Sequence, residues 1–350
     1  MVAPFPSPLR FRPAPLALNT AVIVQLEDSD GAVGLGYAPT LGFGTHALRS
    51  HAVEDLAPLI TGVDLRDTGA GVTLMAQAAG IAGRLAGTAR SAIALLEMAL
   101  LDIEGQRAGM PLHKLWGQST DATNAYASGG WRYLSDEELV KFARTRVSQG
   151  FRAIKVQVGL SPREDADRLR MVRDVIGPDV GLMLDANRLI PPEIAPEWIG
   201  QLATFAPTWI EEPVSGANDD FLSALRKVCA VPLATGESET ETAALIDLID
   251  ECAVAYIQPD IHRLGLGAAT EVCGHAARAG IAIAPHISHE VSAHLVSGAP
   301  GQRWLEYFDW FETWWENPNV PERGEVTPST LPGHGLRLRR GWLDAHRMGR

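Results

Sequence analysis

Asp185 in "GLMLDAN", Glu211 in "WIEEP" and Glu237 in "ATGES" follow one another at equal intervals of 26 residues, and each ends a short apolar run of strand character. An interval of that length holds one strand, one helix and two loops. If the three strands are neighbours in a parallel barrel, their carboxylates project from its C-terminal rim into one mouth, where such folds carry their active sites. A single acid at a strand end often only caps the next helix, so the joint pattern carries the argument. Three convergent carboxylates repel one another unless a cation lies between them. All-oxygen ligation with room for water favours a hard divalent ion, Mg2+ before Mn2+ and well before Zn2+. The pattern predicts a metal-assisted enzyme with one Mg2+ per chain on Asp185, Glu211 and Glu237. Strand alternation turns only one of Glu211 and Glu212 into the mouth, and the reading takes Glu211.

The next two strand ends supply a base. "YIQPD" ends at Asp260 and "IAPHISH" brings His286 to the following strand end. A carboxylate that accepts the Nδ1 proton of an imidazole fixes its tautomer and raises its basicity, leaving Nε2 as a general base. His289 and His294, on the following loop and helix, are the alternatives. Lys155 lies inside the apolar strand "AIKVQVG" with Gln157 on the same face two residues on. Burying its charge without a partner is costly, so a substrate carboxylate or the metal acids are expected beside it. Glu306 in "WLEYF" completes the ring from an eighth strand.

These side chains need elements to position them. The 350 residues are about right for a (β/α)8 barrel of roughly 200 to 250 residues plus a second domain. From residue 120 to 319 the sequence repeats strand, loop and helix, with strand candidates "NAYAS", "AIKVQV", "VGLMLDA", "TWIEE", "PLATGE", "VAYIQPD", "IAIAPH" and "WLEYF". Ser135 with Glu138, and Ser161 with Glu164 after Pro162, read as capping boxes that open two of the helices. Ahead of the barrel, residues 19–38 alternate around an Asp-Ser-Asp-Gly turn as an antiparallel hairpin. Helical periodicity follows in "HALRSHAVEDLAPLI" and "GTARSAIALLEMALLDIEGQRAG", the latter with Gly105 or Gly109 as terminator. Residues 1–115 therefore read as an α+β capping domain, with the irregular tail 320–350 packing back on it.

Composition narrows the partners. A formal net charge of −12 excludes a nucleic-acid backbone as the main partner and requires local cations or a metal for any anionic substrate. Cys229, Cys252 and Cys273 are odd in number and lack C-x-x-C spacing, which fits a reducing compartment. No secretory leader and no membrane span of about 20 apolar residues is read. A cytoplasmic homo-oligomer with a small-molecule substrate is expected.

Helical "SAIALLEMALLDIEGQRAGMPLHKLWG" together with "FRAIKVQVG", "LMLDAN", "WIEEP", "TGE", "IQPD", "PH" and "LEYF" resembles the enolase superfamily, and within it the mandelate racemase subgroup, over nearly the whole chain. The resemblance implies metal ligands at Asp185, Glu211 and Glu237, a general-base dyad at Asp260 and His286, and a glutamate for the enolate oxygen at Glu306. It also implies that Lys155 holds the substrate carboxylate. The second lysine of the family's Lys-x-Lys is Gln157 here, "RLGLGAAT" stands where the family has Gly-Gly, and the N-terminal strand of the capping domain reads as short or missing. The family's shared step is removal of the α-proton of a carboxylate. Gln157 cannot serve as acid or base, so one competent base, His286, leads to β-elimination of water from an aldonic or aldaric acid to a 2-keto-3-deoxy acid. Gln157, the residues Trp131, Arg132 and Tyr133 after the first barrel strand, the loop "TLGFGTH" and Asn187 are the expected substrate contacts. A racemase, epimerase or lactone cycloisomerase on the same scaffold is the alternative, and a non-catalytic sugar-acid-binding barrel is the alternative of another class.

Overall fold

The computed structural model of the chain describes residues 2–11, 14–64, 67–83, 85–215, 219–251 and 253–346, with the backbone alone for 2–11, 14–19 and 219. Cys252 and the last four residues of the tail lie outside the described residues. The N-terminal sheet has order β1 (Val2–Phe11), β2 (Ala14–Glu27), β3 (Val33–Pro39). β2 and β3 pair antiparallel from Ala21↔Pro39 to Glu27↔Val33. Their turn is closed by Asp28, whose carboxylate accepts from Asp30 N at 2.8 Å and Ala32 N at 2.9 Å. β1 corrects the sequence reading: the N-terminal strand is present and ten residues long. Pro4, Pro6 and Pro8 argue against a strand in general, but β1 is an edge strand, where a missing N–H costs no ladder bond. Its register shifts between Pro4 and Leu9.

Helices Thr45–Ser50 and Ala57–Ile60 flank a π-helical turn, His51–Leu56, and are followed by Thr68–Ile81 and Thr88–Ala108. They pack on the sheet through Val22, Val24, Leu48, Met75, Leu95 and Leu96. The long helix ends at Gly109, which has the left-handed φ of 64°. Gly105 lies inside the helix, where a Cβ would stand 2.5 Å from Gly333 Cα. That close approach admits the tail, and Leu112 N donates to Gly333 O at 2.9 Å.

Eight parallel strands follow: β4 (Thr123–Gly130), β5 (Ala153–Gln157), β6 (Gly181–Asp185), β7 (Trp209–Glu211), β8 (Leu233–Thr235), β9 (Tyr256–Ile257), β10 (Ala282–Ile283) and β11 (Leu305–Tyr307). They lie in chain order, with β11 beside β4. Ile283 N donating to Gln302 O and Trp304 N donating to Ile283 O bring β11 against β10 and close the barrel. Seven of the eight strand candidates contain one of these strands, and "NAYAS" lies inside the longer β4. A short strand β12 (Glu325–Val326) pairs antiparallel with β4.

Alternation along the strands sorts the side chains. Ile154, Val156, Leu182, Leu184 and Ile210 belong to the large core that the helices cover, whereas Tyr126, Ala153, Met183, Trp209 and Ala234 form a separate cluster inside the barrel. Lys155, Asp185 and Glu211 each stand two residues beyond an inner residue and therefore above that floor. Helix Asp136–Ser148 starts with the full Ser135–Glu138 capping box. At helix Pro162–Ile176 the Ser161 side chain accepts from Glu164 N, and its hydroxyl lies 2.6 Å from the Glu164 carboxylate.

Candidate active site

Strand register places Gln157, Asp185 and Glu211 side by side across β5, β6 and β7. Lys155 Nζ lies 2.7 Å from Glu211 Oε1 and 2.6 Å from Glu306 Oε1, with the Tyr126 ring 5.4 Å away beneath it. The partner expected for a buried lysine is thus a pair of acids. Burial alone would lower its pKa, but Glu211 and then Glu306 hold the ammonium well above its ordinary value. The second Glu211 oxygen accepts from Gln258 Nε2 at 2.8 Å and Trp209 Nε1 at 3.2 Å. Gln258 and Trp209 were not singled out in the sequence, although both lie within the strand runs that end at the site acids.

Glu212 takes a different direction from its neighbour. Its φ of 39° breaks the strand, and its carboxylate accepts from Arg188 and from Ser238 Oγ at 2.9 Å. Asp185 Oδ1 and Oδ2 accept from Asn187 N at 2.8 Å and Nδ2 at 2.7 Å. Asn187 Oδ1 in turn accepts from Gln157 Nε2 at 2.6 Å and from Arg132 at 2.7 Å. Arg132 therefore supports the Asp185 loop. Trp131 stacks on Phe308, Trp310 and Tyr133 with ring centroids 5.9 to 6.3 Å apart.

His286 is turned toward acids other than the one expected. Its Nδ1 lies 2.9 Å from Glu306 Oε2 and 3.1 Å from Glu237 Oε2, close as charges but without the alignment of a hydrogen bond. Asp260 and His286 are neighbours by a backbone bridge. The Asp260 carboxylate, however, accepts from His262 N at 2.7 Å and Arg263 Nε at 3.2 Å. Burial works to lower the His286 pKa, yet Glu237 and Glu306 outweigh it and raise it to about 10. Glu306 is pushed up by burial but held well below the usual carboxylate range by Lys155 and His286, and it accepts from Ile287 N at 3.0 Å. As arranged, it is an acceptor. His289 is engaged with Asn319 O at 2.8 Å, and His294 with His113 and His334 O, outside this cluster.

The charge of the cluster tests the expected metal. Asp185 is raised to about 7, first by burial and then by Glu211. Glu237 is raised well above its ordinary value by burial, against the pull of His286 and with the repulsion of Glu211 added. Four carboxylates face Lys155 and His286, with Arg132 adding its charge toward Asp185, and His286 Nδ1 is left without an aligned partner. A divalent ion balances that deficit, so the donor set fits one. Ligand atoms of Glu211, Glu237 and His286 already lie within 4.8 Å of one another. Asp185 stands one strand away from that trio, held by Asn187.

A cavity of about 350 Å3 opens beside His286, lined also by Asp260, Arg263, Thr240 and the loop Thr40–Gly44. Trp131, Arg132 and Tyr133 are not part of its lining. The loop "TLGFGTH" does reach it, with Phe43 exposed.

Residues 138–342 match the enolase C-terminal domain-like family, and residues 3–117 match the mandelate racemase / muconate lactonizing enzyme N-terminal domain. The chain belongs to the enolase superfamily, in its mandelate racemase subgroup. Among curated members of this superfamily it is 32% identical to L-talarate/galactarate dehydratase of Salmonella typhimurium over 93% of this chain and 81% of that protein. It is 31% identical to 3,6-anhydro-alpha-L-galactonate cycloisomerase of Streptomyces coelicolor over 94% and 90%. The crystal structure of L-talarate dehydratase from Polaromonas sp. JS666, complexed with Mg and L-glucarate, superposes with a TM-score of 0.88 at 30% identity, covering 95% of this chain and 94% of that one. The chain is an enzyme of this superfamily, whose members use Mg2+. Among the described residues no helix is long and apolar enough to cross a membrane.

Proposed function

We propose that this protein removes the α-proton of a sugar-acid carboxylate and expels the β-hydroxyl as water, giving a 2-keto-3-deoxy acid, with one Mg2+ held by Asp185, Glu211 and Glu237. The bound ion would polarise the substrate carboxylate and lower the cost of charge developing on it. Oxygen donors suit Mg2+, which leaves His286 for proton transfer. With the acids balanced, Glu237 would no longer draw the imidazole, which would free Nδ1 for Asp260 on the neighbouring strand end.

In this reading Lys155 binds the substrate carboxylate beside Glu306. His286 Nε2 takes the α-proton, the electrons of the C–H bond pass into the enediolate, and these then expel the β-hydroxide. The hydroxide leaves as water with the proton that His286 took, and the enol left behind loses its hydroxyl proton and gains one at the β-carbon to become the keto acid.

The observation that carries dehydration over racemisation is Gln157. Racemisation needs an acid and a base on opposite faces, and on the β5 face the amide is non-titratable and donates to Asn187 at 2.6 Å. The same reading takes residues 1–115 with the tail from 320 onward as the capping domain and 120–319 as the barrel. Asp102, wholly buried and accepting from Leu35 N and His334 N, supports the association of tail and cap.

Incubation with a panel of aldonic and aldaric acids and Mg2+ should release 2-keto-3-deoxy product from at least one member. Interconversion of epimers or lactones without dehydration would replace the reading by an isomerase, and binding without either would leave a sugar-acid-binding barrel.

A further inference from the structure

The cavity beside His286 carries one cation whose donors are mostly uncommitted. Arg263 Nε donates to Asp260 Oδ2 at 3.2 Å, and its terminal nitrogens meet no acceptor among the described residues. A guanidinium offers five N–H donors in a planar fork. The other arginines near the mouth are engaged: Arg132 donates to Val158 O and Asn187 Oδ1, Arg188 to Glu212, and Arg90 to Glu241. His262, also in the lining, is buried with Nε2 2.6 Å from Ser288 Oγ, and burial lowers its pKa to about 4, so it brings no charge. With a net charge of −12, an incoming dianion needs a dedicated local cation at each end.

Position gives this cation a role. Lys155 is on β5, and Arg263 follows β9, four strands away in a ring of eight, so the two stand on opposite sides of the mouth. The hydroxyl-bearing residues Thr40, Thr88, Ser91 and Thr240 line the same cavity as Arg263. We propose that Arg263 binds the second carboxylate of a dicarboxylic sugar acid, which makes aldaric acids the substrate class and aldonic acids poor substrates. The inference rests on the proposed function, in which Lys155 receives the first carboxylate. The free edge of the fork matches a carboxylate with two parallel hydrogen bonds, while Nε keeps Asp260 in place.

The test compares the Mg2+-loaded full chain with Arg263→Gln, using six-carbon aldaric acids and aldonic acids of matching configuration. The substitution should raise the aldaric KM roughly 10- to 100-fold more than the aldonic KM, the usual effect of losing a charged hydrogen-bonding partner. Arg263→Lys should recover part of the loss. Equal loss for both classes would show that Arg263 acts only by holding Asp260, and would overturn the assignment. Calorimetric titration of the His286→Asn protein reads binding apart from turnover: the diacid should bind more tightly than the monoacid, and Arg263→Gln should erase the difference. Diacid preference without any 2-keto-3-deoxy product from the unaltered protein would sustain this inference and refute the dehydratase reading. No diacid preference in the titration would refute this inference and leave that reading standing.

Discussion

Glu211 and Glu212 are adjacent, both buried, and chemically identical, yet strand geometry gives them different work. Glu211 joins Lys155 at 2.7 Å in the barrel mouth, and Glu212 is held by Arg188 and Ser238 beyond the strand end. Glu211→Gln should therefore weaken Mg2+ binding by more than the roughly 10- to 100-fold of an outer-shell change, and Glu212→Gln by about that much or less. Calorimetric titration with Mg2+ checks this, and equal losses would assign the wrong glutamate to the metal. His286→Asn should abolish α-proton exchange with metal binding retained. His289→Asn should leave exchange intact and lower the melting temperature, since His289 is buried against Asn319 O and the Tyr307 ring. If exchange survives in the first variant and fails in the second, the base is misassigned. The types and spacing of the acids were legible because each closes a strand run. What spacing could not supply was the direction of each carboxylate: Asp260 turns to Arg263, a helical neighbour three residues on, and Asp185 to Asn187.

At the scale of elements, the barrel was readable because parallel buried strands leave short, nearly continuous apolar runs separated by helices. The π-helical turn at His51–Leu56 and the proline-bearing β1 were not. The first shares the periodicity of its flanking helices, and the second is a strand only because it lies at an edge. Gly105 shows the same limit from another side: as a helix terminator it competes with Gly109, and the left-handed φ of Gly109 and the tail packed on Gly105 separate them. Gly105→Ala would drive a Cβ to 2.5 Å from Gly333 Cα and 2.6 Å from its N, both backbone atoms that cannot swing aside. Overpacking of that kind typically costs about 1–3 kcal/mol. A lowered melting temperature with unchanged Mg2+ affinity is the expected result, and an unchanged melting temperature would mean that the tail yields without cost.

For the whole molecule, the crowded acids couple metal, protons and stability. Asp185 is raised to about 7 in the folded protein, against an unfolded value of about 4. Between those values the folded state holds a proton that the unfolded chain has released, so this contribution to stability is present at low pH and is lost as pH rises through the folded value. The melting temperature of the metal-free protein should fall from about pH 5 to about pH 7, and saturating Mg2+ should reduce that slope while releasing protons to buffer. A metal-free protein that grows steadily more stable over that range would show that the acids do not crowd as described. Proton NMR in D2O, with the Mg2+-loaded protein and aldaric acids of both α-configurations, follows metal dependence and proton transfer together. Mg2+-dependent conversion to a 2-keto-3-deoxy acid is expected from one α-configuration only, with no exchange into the other and none after chelation. Comparable α-proton exchange from both configurations, or turnover undiminished in excess chelator, would contradict the proposed Mg2+-dependent dehydration.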